Sequence, residues 1–478
     1  MSGEYTLVDQ FDLDGRWGLP DWPPERWIPG RLHFAPEAGI RLELWGVLKE
    51  LQSGPLPVVQ RHEAIWGLTN DARKLTLLEC NGAISHMTFR ADAGAVNSRF
   101  SARWLIEGEH VPAPADLKFQ ALRVSIHNLT PFIGRTGLGS GEPATDRLAV
   151  TWTRPQEITT DIGPYQLRTL YSARTSGNVF GSERSISERT WLELGFAQEL
   201  HVEEALAGPI ASLHYLIQLA AGCRLPLIVL EGDSKRTEQM VDGKPLYPPS
   251  RILFAQKRSL PLPEAAHPLR LAFTLSSLSS NLPDHLSRWY AGFQIFRDAL
   301  DFYFSLDPHD DTDVAIEHHF LSIMNAVESY HRSAGAKRYE SEPSEHKERI
   351  DRILVASPAE DRDWLSRKLE YSNEVGLRAR LRELFDALPP DVQRVCGERK
   401  TFINSVVITR NYLTHHDDRL KDQALSGTRL WRITRKLRLI LQTAFLRQLG
   451  LEDQQIVEAF KRVPEFLDLA REVSAETD

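Results

Sequence analysis

The stretch "TRNYLTHHDD", residues 409–418, places an arginine, an asparagine and two adjacent histidines within ten positions. Three chemistries use such side chains. A metal site is poorly supported, because His415, His416, Asp417 and Asp418 are consecutive and neighbouring side chains on a helix point about 100° apart. "ESYH" sets Glu328 and His331 three apart on one helical face. That is the spacing of di-iron bundles, but those need two such pairs and the chain offers no second. HExxH is absent, and neither a metal nor any other cofactor is expected. Covalent catalysis has as little support. There is no GxSxG and no cysteine in a nucleophile context. "GLGSGEP", 137–143, lacks the Lys-Ser/Thr of a phosphate loop and reads as a turn.

Arg410 and His415 suit a third chemistry, the cleavage of RNA without a metal. RNA carries its own nucleophile, the 2′-hydroxyl. An imidazole can take that proton or protonate the leaving 5′-oxygen. A guanidinium can stabilise the charge that builds on the phosphorane oxygens, and Asn411 can orient a phosphate or the histidine. The geometry sets a condition. Five residues along a regular helix turn by about 140° and rise by about 7.5 Å, so the two side chains do not share a face. Either the helix ends or distorts near Thr414, or a two-fold partner brings a second copy of the motif into one cleft.

The elements that must hold this motif change character along the chain. Up to about residue 195 the signals are strand and turn. "RLHFAPEAGIRLELWGV" reads as two strands about a Pro-Glu-Ala-Gly turn, with Ile40, Leu42 and Leu44 alternating against Arg41, Glu43 and Trp45. "KLTLLEC", "FSARWLI", "KFQALRVSIHNL" and "RLAVTWTRP" are further strands, the pattern of an antiparallel sandwich or distorted barrel. A helix is inserted near 201–222, with a break or kink expected at Pro209. "LPLIVLEG" and "RILFAQKRS" return to strand, and "SLPLPEAAHPLRL" reads as a boundary loop. From about 284 the texture is helical. Phe320, Ile323, Val327 and Tyr330 form an apolar stripe after a cap at Asp311 or Thr312, and Leu430, Ile433, Leu437, Leu441 and Ala444 form another. The expected fold is α+β and multidomain: a β-rich sandwich- or barrel-like domain over 1–275, then an all-α bundle over 284–478.

Composition narrows the function classes. The net charge is −8, which argues against a globally basic nucleic-acid binder. Residues 399–449 nevertheless carry eleven Lys/Arg against three Asp, a local surface able to attract a phosphate backbone. Cys80, Cys223 and Cys396 lie far apart without a CxxC and read as separate packed thiols. No apolar run reaches the ~20 residues of a membrane span, and the first residues lack a signal pattern, so a cytoplasmic location is expected. The tryptophans of "GRWGLPDWPPERW" read as packing in an extended segment, with sugar or partner stacking as the alternative.

In this context "RNYLTH" resembles the R-x4–6-H motif of the HEPN superfamily of helical domains, with Asn411 in the polar place after the arginine. The pieces "FLSIMNAVESYHR", "LRARLRELFD" and "ERKTFINSVVITRNYLTHHD" resemble the HEPN domain of the ApeA-like bacterial abortive-infection proteins. "WIPGRLHFAPEAGIRLELWGVL" and "KLTLLEC" resemble that family's N-terminal domain. The resemblance implies an antiphage effector: a metal-independent ribonuclease that cuts host RNA, tRNA among the candidates, to 2′,3′-cyclic phosphate ends. It implies a catalytic pair of Arg410 and His415 assisted by Asn411. It also implies a homodimer or higher oligomer with a shared cleft, and an N-terminal domain that holds the nuclease quiet until it detects a phage component. Glu328, His331 and His416 are candidates to border the cleft. The competing expectation is a non-catalytic, dimerising binding module in which Arg410 and His415 only brace a helix end and the β-rich domain binds a ligand. A weaker third makes residues 1–275 a glycan-binding or hydrolytic module.

Overall fold

The computed structural model describes residues 5–48, 59–88, 95–140, 149–177, 183–241, 244–256, 266–306, 313–334 and 339–477. Their contacts separate into two compact units. The first takes in the described residues of 1–217, 225–266 and 274–279, the second those of 218–224, 267–273 and 280–478.

The first unit is built on antiparallel strands. Strand β1, Phe11–Gly18, alternates inward Phe11, Leu13 and Trp17 with outward Asp12, Asp14 and Arg16. It pairs with β2, Ile28–Ala35, which turns at Gly39 (φ +76°) into β3, Gly39–Leu44. The outward residues meet across the ladder: Arg31 with Asp14 at 2.8 Å and His33 with Asp12 at 2.5 Å. The ion pair and the histidine–carboxylate hydrogen bond sit directly across the register and add modestly to its definition. Strands β4 (Gln60–Thr69), β5 (Lys74–Thr88) and β6 (Ala95–Ala102) complete a closed ring, because β6 pairs with both β3 and β5. The sandwich-or-barrel expectation thus resolves into a six-stranded barrel. Trp17 is fully buried, and a Cβ on Gly67 of β4 would lie 2.4 Å from its ring. A glycine there makes room for the indole.

"FSARWLI" is a bent strand. β6 stops at Ala102, and β7, Trp104–Glu107, continues along the same edge of β5. The first part closes the barrel against β3; the second pairs with Ser250–Leu253 and opens into the rest of the sheet. Such corners let a strand leave one layer for another. From there the sheet runs through Leu227–Asp233, β8 (Lys118–Ile126), Ser185–His201, Tyr165–Ser176 and Thr159–Ile162, thirteen strands in all. The described residues of "RLAVTWTRP" give one short strand, Val150–Trp152, paired antiparallel with Leu138–Ser140 apart from the large sheet. A short helix α1, Leu129–Ile133, follows β8. The inserted helix is two: α2, Val202–Ala207, and α3, Pro209–Ala221. The break falls at Gly208, so that Pro209 opens α3, where its missing N–H costs nothing.

The second unit is helical. Helix α4, Leu282–Tyr303, buries Leu286, Trp289, Phe293, Phe296, Leu300 and Tyr303, alternately three and four apart. Helix α5, Ile316–Ala334, buries the stripe Phe320, Ile323, Val327 and Tyr330; the proposed caps at Asp311 and Thr312 lie outside the described residues. Sequence reading left out α6, Pro343–Ala356, a helix that buries no residue. Next come α7, Arg362–Leu369, and α8, Leu377–Asp386. Pro390 opens α9, Pro390–Cys396, at a position where its missing N–H costs nothing. Then come α10 (Arg399–His415), α11 (Gly427–Gln448), α12 (Asp453–Phe460) and α13 (Pro464–Thr477). Helix α11 is buried on all sides from Leu437 to Leu446. Its Phe445 ring meets Phe296, Tyr303 and Tyr330 at centroid distances of 5.9, 5.7 and 5.5 Å.

Candidate functional site

Helix α10 presents the RNYLTH motif. Gly397 (φ +90°) turns the chain, and the Glu398 carboxylate caps the helix by accepting from the backbone N–H of Lys400 and Thr401 at 2.8 and 2.6 Å. A hydrogen bond from the Thr401 side chain, and next those two backbone bonds, hold the Glu398 carboxyl below its ordinary value. Phe402, Ile403, Val406, Val407 and Thr409 are buried. The Thr409 hydroxyl accepts from the N–H of Leu425 at 3.0 Å, which pins the returning chain beside the motif.

The helix ends at His415, one residue past Thr414, as one of the expected alternatives has it; it is regular up to that point, so the ending alone does not bring Arg410 and His415 onto one face. His416 adopts the left-handed conformation (φ +50°) and its N–H donates to Tyr412 O at 2.7 Å, a C-terminal cap. Asp417 caps the next turn and pairs with Arg419 at 2.8 Å. The eye-catching "HHDD" is thus spent on ending one helix and starting a turn. Among the described residues no three His, Cys, Asp or Glu side chains are grouped to hold a metal ion.

Arg410 and His415 occupy different surroundings. Arg410 is 28% exposed, and its Nη2 donates to Glu328 Oε1 on α5 at 3.3 Å; Nη1 reaches Asn411 Oδ1 at 3.5 Å. His415 is exposed and makes no hydrogen bond or ion pair among the described residues. With α10 regular between them, the pair stands about 140° and 7.5 Å apart around one cylinder. His331, three residues after Glu328, is only 1% exposed and lies beneath the surface, its Nε2 at 2.7 Å from Glu383 Oε2. His416 lies on the helix end with its ring edge-on to Tyr412, 6.2 Å between centroids.

Sequence reading missed the charges behind Arg410. Arg380 of α8 is 3% exposed, with Nε donating to Val375 O at 2.8 Å and Nη2 at 3.8 Å from Glu374. Burial, and next Arg332, push its guanidinium below the ordinary arginine value, against the pull of Glu328, Glu374 and Glu383. Arg410, Glu328, Arg380 and Glu383 thus form one array of alternating charge across α10, α5 and α8, with the His331 ring bonded to Glu383. The available signal was the pair Arg380 and Glu383, three apart in "LRARLRELFD", which by itself looks like any solvated helix face.

The chain thus joins a β-barrel-containing N-terminal domain to a C-terminal helical domain that carries the motif. Residues 321–455 match the family model described as Apea-like HEPN, and residues 12–289, more than half of the chain, match that described as ApeA N-terminal domain 1. The chain belongs to the ApeA-like family of antiphage HEPN effectors. No curated protein and no solved structure matches it. HEPN domains commonly bind RNA and dimerise. Among the described residues, no helix is long and apolar enough to cross a membrane.

Proposed function

We propose that this protein is a metal-independent endoribonuclease of abortive infection, with Arg410 and His415 as its catalytic residues and Asn411 assisting. The observation that carries the reading is the motif's presentation: an exposed imidazole at the end of a regular helix, and an arginine held by Glu328 on a neighbouring one. In the reaction the 2′-oxygen attacks phosphorus while the P–O5′ bond breaks. An imidazole removes the 2′-proton, a protonated imidazole supplies one to the 5′-oxygen, and the guanidinium meets the charge on the non-bridging oxygens. The products are a 2′,3′-cyclic phosphate and a 5′-hydroxyl. Because Arg410 and His415 of one chain face apart, the reading places a second copy's motif across a two-fold axis. Host RNA, tRNA in particular, is the proposed substrate, and the N-terminal domain the element that releases the nuclease on meeting a phage component.

The test is cleavage of RNA by the full chain in the presence of a chelator. Arg410→Ala and His415→Ala each remove it while the fold persists; continued cleavage by the double variant overturns the assignment. The Arg410–Glu328 ion pair favours one competing reading, a non-catalytic module in which Arg410 braces α10 against α5. Under that reading the same substitutions lower stability and leave the biological effect intact.

A further inference from the structure

A cavity of about 270 Å³ opens between the segment Cys396–Glu398, the first turns of α10 and the first turns of α11. Its floor is apolar, with Phe402 and Ile433 buried beneath it. The Cys396 thiol, pushed up to about 12 by burial, lines it as a neutral group. Its rim is cationic. Arg429, Arg432 and Lys436 stand at i, i+3 and i+7 along one side of α11, the spacing of a single helical face. Lys436 also donates to Cys396 O at 3.2 Å and Arg432 meets Glu472 at 2.8 Å. Arg429 is exposed and has no ion pair among the described residues. The one acid on the lining, Glu398, has its carboxylate turned to the backbone N–H groups that it caps.

The cavity is placed along the motif helix. Thr401 and Ser405 of its wall share a face of α10 with Tyr412, eleven and seven residues on, and His415 follows Tyr412 by three. Ser405 and His415 are separated by ten residues, about 15 Å along the axis. A volume near the low end of ligand pockets (~300–1,000 Å³) admits one planar ring, not a folded oligomer. An apolar floor with an aromatic ring and a cationic rim is what single-stranded nucleic acid asks of a protein: a surface for the base and charge for the backbone.

We propose that this cavity is a substrate subsite, which takes the base of an RNA nucleotide other than the one being cut and sets a backbone phosphate against Arg429. The proposal rests on the nuclease reading and extends it. The test measures binding of an oligonucleotide blocked at the 2′-position to the full chain, across a salt series. Arg429→Gln weakens binding about tenfold and lowers the slope of log affinity against log salt by about one. Ser405→Trp, which fills the cavity, weakens binding comparably. Arg471→Gln, which removes an equally exposed charge on α13, leaves binding unchanged; thermal unfolding checks that each variant folds. Wild-type affinity in both cavity variants, with cleavage intact, overturns the subsite alone. A wild-type chain that neither binds nor cuts RNA overturns subsite and nuclease reading together. Loss of binding in the variants of a chain that does not cleave overturns the substrate role with the nuclease reading and leaves the cavity as an RNA-binding site. A free mononucleotide bound as tightly as the oligonucleotide overturns the substrate role and assigns the cavity to a soluble nucleotide.

Discussion

Replacing Glu328 by glutamine tests whether the charge array behind the motif aims Arg410. The change keeps the shape and an acceptor oxygen and removes the charge. At 3.3 Å, two unit charges in an effective dielectric of 20 attract by about 5 kcal/mol. Most of that is offset, because both ends give up hydration and both remain partly wet, at 28% and 23% exposure. A net coupling of about 1–2 kcal/mol remains. If the guanidinium works from the position that Glu328 gives it, the same energy appears in the rate, as a roughly 5- to 30-fold lower single-turnover rate. The assay pairs RNA cleavage by Glu328→Gln with a thermal-unfolding cycle that includes Arg410→Gln and the double variant. A coupling energy near zero, with cleavage at the wild-type rate, refutes the positioning role. A faster Glu328→Gln refutes it as well, since Glu328 would then restrain an arginine that works better free.

Four other outcomes follow from the geometry. Mixing Arg410→Ala and His415→Ala chains so that they re-associate at random restores about a quarter of wild-type activity if each site takes its arginine and histidine from different copies; no recovery in a verified mixed dimer contradicts the shared cleft. Phe445→Ala, which deletes a ring packed on Phe296, Tyr303 and Tyr330, costs about 3–5 kcal/mol of stability in denaturant unfolding. Gly67→Ala forces a methyl into the Trp17 ring and destabilises by about 1–3 kcal/mol, seen as a lower midpoint for the barrel. The Glu398 carboxyl is held below its ordinary value in the fold, so its contribution is complete above the unfolded value of about 4.3 and is lost as pH falls through the folded one. The gap in Tm between wild type and Glu398→Gln therefore narrows on acidification below about pH 4.

The helical half was legible because its stripes are regular. Phe320, Ile323, Val327 and Tyr330 are all buried, as are Leu430, Ile433, Leu437, Leu441 and Ala444. Helices without such a stripe escaped: α6 buries nothing, so no apolar face announces it, and α9 is brief and follows Pro389-Pro390, a pair that locally signals the end of a helix. In the β-rich half, alternation named the strands but not their partners. The closure of β6 on both β3 and β5 depends on a bend near Arg103, and a local pattern does not encode which of two neighbours a bent strand will meet. The motif itself was readable as types and spacing. Its support was not, since Arg380 and Glu383 matter only through what α8 packs against, and a buried arginine looks in sequence like an exposed one.

Ring closure of the barrel also decides where the large sheet can grow. Twelve of its thirteen strands have partners on both sides over at least part of their length; the exception is Thr159–Ile162, four residues long. Open strand edges are where chains add to one another and aggregate. That terminal strand covers only Tyr165–Arg168 of its neighbour, which runs on for the eight residues Thr169–Ser176, paired among the described residues with Ser185–Leu192 on its other side alone. The barrel end of the sheet is thus sealed against strand addition, and the far hairpin arm is where the described sheet leaves backbone for another strand to meet.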